Sequence, residues 1–420
     1  MSEIFFQYYF HAVGQGLFAA GHIWDESNKR QFNWIFDCGT NSSIAFLERE
    51  LGKFRMGMNG KPIQVFCLSH FDRDHVNGAT QLLSSHRVDT LVMPYFPFVE
   101  RVQIALGTRD LTDDYLSFLI DPAGYMYAAG GDNLGEVIFI TGDTSLSSEN
   151  ENEPPSRAPD DDWTFRPPPD MKEPNPPANE DIHGISDENT WKAVRVYSHR
   201  KPFAVGNFWE FMFFNEHIPS DTATTLLSVV VDVVTRHRRP DGSFDGVGLI
   251  REIKPLYIRE FGGSGYDKNK ISLITYSGPM RSLNLRAAGL LGRVIPANLS
   301  EIHFPAWVQF LLAPKESQVS ITYFGDYPLT DHSRLINIQS HFGRARWERI
   351  EIIQVPHHGS KHSWHDNASA VFHNHASVIS SARNSKHHPA PSVLSDLSTH
   401  GIVLVHELQS ASFNGGLRYH

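Results

Sequence analysis

Four side chains able to ligate a metal fall within six residues of Ser69-His70-Phe71-Asp72-Arg73-Asp74-His75-Val76-Asn77-Gly78. Imidazole nitrogens and carboxylate oxygens are the donors that divalent ions such as zinc and manganese take from proteins. A loop carrying them can turn several side chains toward one point. Asp74 alone would be explained as a helix cap. That role leaves His70, Asp72 and His75 without a reason, so the spacing His-x-Asp-x-Asp-His is read as a metal-binding loop, with Asp74 and His75 at the reacting centre.

The elements around this loop must hold it still. Ile63 to Leu68 is a short apolar run with polar stops, as expected of a strand buried on both faces. A helical stretch from Val76 to Ser85 follows, then a strand at Thr90 to Met93. Upstream, Ile4 to Phe10, Leu17 to Ala20 and Asn33 to Phe36 read as strands, the first two split by the turn Gly14-Gln15-Gly16. Further strands are expected at Val137 to Ile140, Ile271 to Tyr276, Val319 to Phe324, Ile350 to Val355, Ala376 to Ile379 and Ile402 to Val405. Strands recurring with helical segments between them argue for an α/β layered protein.

The middle of the chain breaks the pattern. Residues 145–189 hold nine prolines among ten acids and three bases between Glu149 and Asp181. Such a segment buries too little apolar surface to offset its ordering entropy, and it reads as an acidic, Pro-rich flexible insertion. Residues 190–267 read as a helical insertion, with a capped amphipathic helix from Ser220 to Arg236. Met280 to Pro314 resembles another insertion. Arg236, Arg238, Arg239 and Arg251, with Arg281, Arg286 and Arg293, could line a phosphate track, though a solvated face is preferred.

The loop His70-x-Asp72-x-Asp74-His75 resembles the His-x-His-x-Asp-His signature of the metallo-β-lactamase superfamily, with Asp72 in place of the second histidine. Three other motifs agree in order: Asp37-Cys38-Gly39 after an early strand, Gly325-Asp326 after a later one, and Val355-Pro356-His357-His358-Gly359-Ser360. The last, with Val13-Gly14-Gln15-Gly16 and Ser380-Ser381-Ala382-Arg383-Asn384 followed by His388-Pro389, is similar to the soluble hydrolase domain of ComEC-type competence proteins. The resemblance implies an αββα sandwich with two insertions, its halves at 1–144 and 268–420. It implies two divalent ions, zinc or manganese, held by His70, Asp72, Asp74, His75, Asp326, His357 and His358, with Asp37 supporting the loop from behind. A carboxylate such as Asp326 suits the position between two ions about 3.5–4 Å apart, which together acidify a water and clamp the group under attack. Asp72 makes the site harder than an all-histidine one, which favours manganese beside zinc.

Three assignments have competitors. Ile140-Thr141-Gly142-Asp143 is a second strand with Gly-Asp, and Asp326 is preferred because it leads through another strand into the histidine pair. His357 and His358 alternate if the segment is extended, so one is expected to ligate and the other to contact substrate or support the site. His388 is either a substrate or metal contact or a loop histidine before a helix start. His362, His365, His373 and His375 are expected to be solvated or packed.

At 420 residues with 40% hydrophobic composition the chain can bury a large core, and no apolar run nears the roughly 20 residues of a spanning helix. Of the net charge of −10, the segment from Glu149 to Asp181 carries −7, leaving −3 elsewhere, so an anionic substrate is not excluded. Cys38 and Cys67 cannot staple a domain of this size, and the start Met1-Ser2-Glu3-Ile4 carries no export signal, so a cytoplasmic location is expected. The expected activity is hydrolysis by a metal-activated water, with nucleic acid or a nucleotide as substrate. Amide, lactone or thioester hydrolysis and a non-catalytic regulatory role are the alternatives.

Overall fold

A computed structural model of the chain describes residues 3–108, 111–142, 162–167, 194–199, 201–216, 224–240, 244–261, 268–280, 285–296, 309–312, 319–372 and 376–419. Strands β1 (Glu3–Phe10), β2 (Phe18–Asp25) and β3 (Arg30–Cys38) form an antiparallel meander, and β4 (Ile63–Cys67), β5 (Val88–Pro94) and β6 (Leu134–Thr141) add to it in parallel. In β1 the side chains of Ile4, Phe6, Tyr8 and Phe10 are buried while Phe5, Gln7 and Tyr9 are half-buried, the period of a strand with one covered face. The parallel strand β4 is apolar nearly throughout because both its faces are covered. Helix α1 (Ile44–Met58) connects β3 to β4 and stops at Asn59, whose φ of 47° is a left-handed cap. Short helices α2 (Arg73–Val76) and α3 (Ala79–Ser85) connect β4 to β5, and α4 (Phe98–Gly107), α5 (Asp113–Ile120) and α6 (Pro122–Gly130) connect β5 to β6.

The second sheet takes β7 (Phe165–Arg166), β9 (Phe203–Val205), β10 (Trp209–Phe214) and β11 (Ile274–Pro279) in antiparallel pairing. It then turns parallel through β14 (Ser320–Tyr323), β15 (Ile350–Gln354), β16 (Ala376–Ser380) and β17 (Gly401–Val405). Strand β8 (Val194–Ser198) pairs with β6, whereas β12 (Leu285–Pro296), β13 (Gln309–Leu312) and the terminal β18 (Gln409–Tyr419) extend the first sheet beyond β1. Helices α7 (Thr224–Arg236) and α8 (Gly246–Phe261) join the layer over the first sheet; α9 (His332–Phe342), α10 (Arg344–Glu348) and α11 (Pro391–Asp396) cover the second.

One apolar cluster draws on both sheets and on no helix, with ring contacts across it such as Phe36 to Tyr323 at 4.5 Å and Trp34 to Phe211 at 5.4 Å. Two further clusters lie between each sheet and its helices. The protein is therefore α/β with two mixed sheets packed face to face between helical layers. No helix among the described residues is long and apolar enough to cross a membrane.

Three expectations about the middle of the chain need correction. Within 145–189, Trp163 and Phe165 are buried, the first tilted against Phe208 and the second stacked on Phe203, so this acidic stretch does supply core. Two aromatics carry enough area to hold β7 at a sheet edge despite the charges around them. Residues 190–267 are helical only from α7 onward; β8, β9 and β10 belong to the sheets, and all six residues of β10 are buried. A run such as Trp-Glu-Phe-Met-Phe-Phe, apolar but for Glu210, has no period to read. Between Met280 and Pro314, β12 and β13 are strands of the first sheet rather than an appended unit.

Candidate metal centre

Each sheet changes from antiparallel to parallel at one place, β3/β4 in the first and β14/β15 in the second. Loops after the carboxyl ends of strands at such switch points are where α/β sheets gather functional groups. The end of β3 supplies Asp37 and the segment after β4 supplies residues 69–75; the loops after β14, β15 and β16 supply Asp326, the histidine pair and His388. Close approach of these loops fixes two glycines. A Cβ on Gly16 would stand 2.4 Å from the Gly39 carbonyl oxygen, and one on Gly39 would stand 2.5 Å from the His75 nitrogen.

The side chains converge. His70, His75 and Asp326 form one buried group with donor atoms within 4.8 Å of one another, and Asp74, His75 and His358 form a second. His70 Nε2 is 3.6 Å from Asp326 Oδ2, His75 Nε2 is 3.2 Å from Asp326 Oδ1, and His357 Nε2 is 3.7 Å from Asp326 Oδ2. His358 Nε2 lies 3.1 Å from Asp74 Oδ2. Asp72 stands at the rim, its Oδ2 3.9 Å from His70 Nε2, and belongs to neither group. His388 borders the pair, its ring centroid 5.7 Å from that of His357 and 6.1 Å from that of His358. Asp143 lies outside the described residues, as do His373, His375 and Arg281.

The other nitrogen of each imidazole is already engaged. His75 Nδ1 is 2.7 Å from Asp37 Oδ2, His358 Nδ1 is 2.8 Å from the Ser380 carbonyl oxygen, and His357 Nδ1 is 2.7 Å from Ser363 Oγ. His70 Nδ1 is 2.9 Å from Ser69 Oγ. A carbonyl or carboxylate partner obliges Nδ1 to donate, so in the neutral ring Nε2 is an acceptor. His75 and His358 thus turn an acceptor nitrogen toward a carboxylate oxygen. Two lone pairs at 3.1–3.2 Å require a proton or a cation between them. His75 Nε2 and Asp326 Oδ1 are both buried without a hydrogen bond, a pairing that fits a cation.

Charge follows the same geometry. Burial disfavours ionisation of Asp326, but His75, His357 and His70 outweigh it and hold its carboxyl well below the usual range. Burial likewise opposes the Asp74 carboxylate, which the hydrogen bond from His358 and the charge of His75 bring down to about 2. Burial disfavours an imidazolium at His75, yet Asp37 and Asp326 raise its pKa well above the ordinary value, so a proton holds the gap where no cation does. Burial and the two neighbouring histidines push His388 down to about 4.

The expectation that His357 and His358 point apart does not hold. Both residues occupy the left-handed region, φ 48° and 57°, within a tight turn rather than an extended segment, so both Nε2 atoms reach the carboxylates. Asp37, with φ 56°, is a third non-glycine residue held in that region. Each such position costs roughly 1–3 kcal/mol and persists only where the surroundings over-determine it. Three of them around one centre mark a functional constraint.

The sequence pointed to Asp37 as a support but not to Ser69 and Gln354. Asp37 accepts from Ser69 N and Ser69 Oγ, both at 2.6 Å, which anchors the start of the metal loop. Gln354 accepts from Phe324 N and Gly325 N at 2.8 Å each and so orients the turn that carries Asp326. Ser69 could have been found from its place between a strand end and His70; a buried glutamine has no such signal. The mid-chain arginines that could have lined a phosphate track are partly accounted for: Arg236 pairs with Asp232 and Glu252, and Arg239 with Asp113.

No family model matches the chain. Over 80 residues, 18% of its length, it is 34% identical to a ribonuclease Z of Agathobacter rectalis, and it spans about a quarter (24%) of that protein. This likeness, to a member of the metallo-β-lactamase superfamily, supports the superfamily-level resemblance read from the motifs.

Proposed function

We propose that the protein is a metal-dependent hydrolase of the metallo-β-lactamase fold, cytoplasmic and close to the ComEC-type branch, that cleaves phosphodiesters. The observation that carries the metal is the facing of acceptor nitrogens on His75 and His358 toward the Asp326 and Asp74 carboxylates. His70, Asp72, Asp74, His75, Asp326, His357 and His358 would hold two divalent ions, zinc or manganese, in an arrangement rich in hard oxygen donors. When bound, the ions supply Lewis-acid polarisation of the scissile group and an acidified water.

The chain's own residues do the rest. Asp37 fixes the tautomer and direction of His75, and Ser380 does so for His358, so neither imidazole reorganises during turnover. Asp74 stays ionised at neutral pH and orients the attacking water. His388, kept neutral, is positioned at the edge for contact with substrate. Phosphodiesters are favoured over amides, lactones and thioesters because Lys361, Arg383 and Lys386 are exposed on the loops that carry the histidines. They make no ion pair among the described residues.

An activity screen tests this reading. With manganese and with zinc, single-stranded DNA, RNA, a phosphodiester dye and a lactone are offered to the purified chain. Cleavage of a nucleic acid or the dye is expected. Lactone hydrolysis without diester cleavage would replace the substrate class, and activity insensitive to chelation would remove the metal.

A further inference from the structure

A cleft of about 410 Å³ opens beside the metal loop, on the face of α2 and α3 that carries Arg73, Asn77 and Thr80. The adjacent residues Asp74 and His75 turn the other way, into the metal centre. Helices α5 and α6 form the opposite wall through Thr112, Tyr115 and Tyr125. Arg73 is exposed and makes no ion pair among the described residues, whereas Asp114 in the same cleft already accepts from Tyr125 Oη at 2.7 Å. The residue before Arg73 is Asp72, at the rim of the centre, so one step along the chain leads from the metal site to this cleft. Tyr115 Oη donates to the Phe71 carbonyl and ties the far wall to the same loop.

These groups suit one kind of ligand. A free guanidinium recognises a phosphate. Asn77 is engaged on both sides of its amide by the Thr40 backbone, whereas Asn41 and Thr80 suit sugar hydroxyls and base edges, and the half-buried ring of Tyr125 offers a face for a base. We propose that the cleft is a nucleotide subsite, which takes the nucleoside phosphate adjoining the scissile linkage, with its phosphate on Arg73 and its base against Tyr125. The inference rests on the phosphodiester reading and adds a demand for a nucleotide on one side of the bond.

Two measurements test it on the full chain, with Arg73→Gln and, away from the metal loop, Tyr125→Leu. Calorimetric titration of adenosine 5′-monophosphate into metal-stripped protein is expected to show binding that each variant weakens at least tenfold. With metal, the kcat/KM ratio of thymidine 5′-(p-nitrophenyl phosphate) to bis(p-nitrophenyl) phosphate is expected to fall at least tenfold in both. Absent or unchanged mononucleotide binding, or equal losses on the two diesters, overturns the subsite. A parent protein that cleaves neither diester defeats the phosphodiester reading instead, and the binding titration then decides the subsite alone.

Discussion

The protein buries charge in two contrasting ways. Glu210 on β10 and Arg346 on α10 form a bidentate pair, Nε to Oε1 at 2.8 Å and Nη2 to Oε2 at 2.9 Å, and Arg346 Nη1 donates to the Phe342 carbonyl at 3.1 Å. Arg349 approaches the same carboxylate at 3.5 Å. Donors meet acceptors, and the Glu210–Arg346 pair closes within the chain. In the metal centre the neutral rings of His75 and His358 would set acceptors against acceptors, Asp326 and Asp74, so a proton or a cation has to stand between them. One cluster closes on itself and serves the fold; the other closes only around a cation and serves function.

The largest expected effect follows from opening the second cluster further. Asp74→Ala should lower turnover at least about a thousandfold, equivalent to roughly 4 kcal/mol of barrier. The metal-free variant should keep the parent's circular dichroism spectrum. Asp326→Asn should lower metal stoichiometry as well as rate, since the amide keeps the shape but not the negative charge that offsets repulsion between two dications. Metal analysis of Asp326→Asn beside Asp143→Asn checks the assignment. Loss of metal from the Asp143 variant alone would move the bridging carboxylate to the other Gly-Asp.

Breaking the closed cluster should do the reverse. Glu210→Ala leaves Arg346 buried without its carboxylate and is expected to cost about 3–5 kcal/mol of stability. Folded protein, recovered at low temperature, should still take up metal at the parent's stoichiometry. A variant as stable as the parent, by denaturant titration, would show that the pair adds nothing the interior could not replace.

Metal itself separates the clusters next. An ion that binds only the folded chain, at a hundred times its dissociation constant, stabilises by about 2.7 kcal/mol. Manganese or zinc should therefore raise the melting midpoint of the parent and of Arg349→Lys by several degrees. The rise should shrink in Asp326→Asn. An equal rise in all three proteins would put the ion somewhere other than this centre.

The two clusters were not equally legible in the sequence. The metal loop stood out because His70, Asp72, Asp74 and His75 are close in sequence and chemically improbable together, and the strand before it was a clean apolar run. Glu210 and Arg346 are 136 residues apart, and only the packing of α10 on the second sheet brings them together. Strand positions at both ends of the chain were readable from short apolar runs. Strands β7 to β10, β12, β13 and the terminal β18 were not: Pro-rich and acidic neighbours masked β7 and β8, and β10 lacks any alternation. The direction of His357 and His358 was misjudged for a local reason: two successive left-handed residues are rare, and no spacing rule anticipates them.

The smallest expected effect concerns a third buried charge that lies between the two cases. Glu50, on α1, is buried but meets two partly solvated partners, Lys53 Nζ at 2.9 Å and Arg49 Nε at 3.0 Å, besides the buried His11 Nδ1 at 3.4 Å. Burial opposes its ionisation, yet His11 and Lys53 outweigh burial and lower its pKa from 4.5 to about 2. A carboxyl whose folded pKa is depressed contributes stability that is fully present above the unfolded value. That contribution is lost as pH falls through the window from about 4.5 to about 2. The full shift would correspond to about 3 kcal/mol, and water around Lys53 and Arg49 reduces the expectation to about 1–2 kcal/mol. Glu50→Gln should therefore be less stable than the parent at pH 7, and the gap should narrow toward pH 2. Urea titrations of both proteins across this range provide the check. A gap that stays constant with pH would mean that the partners of Glu50 contribute packing rather than charge, which would move it toward the self-contained Glu210 type only in its burial.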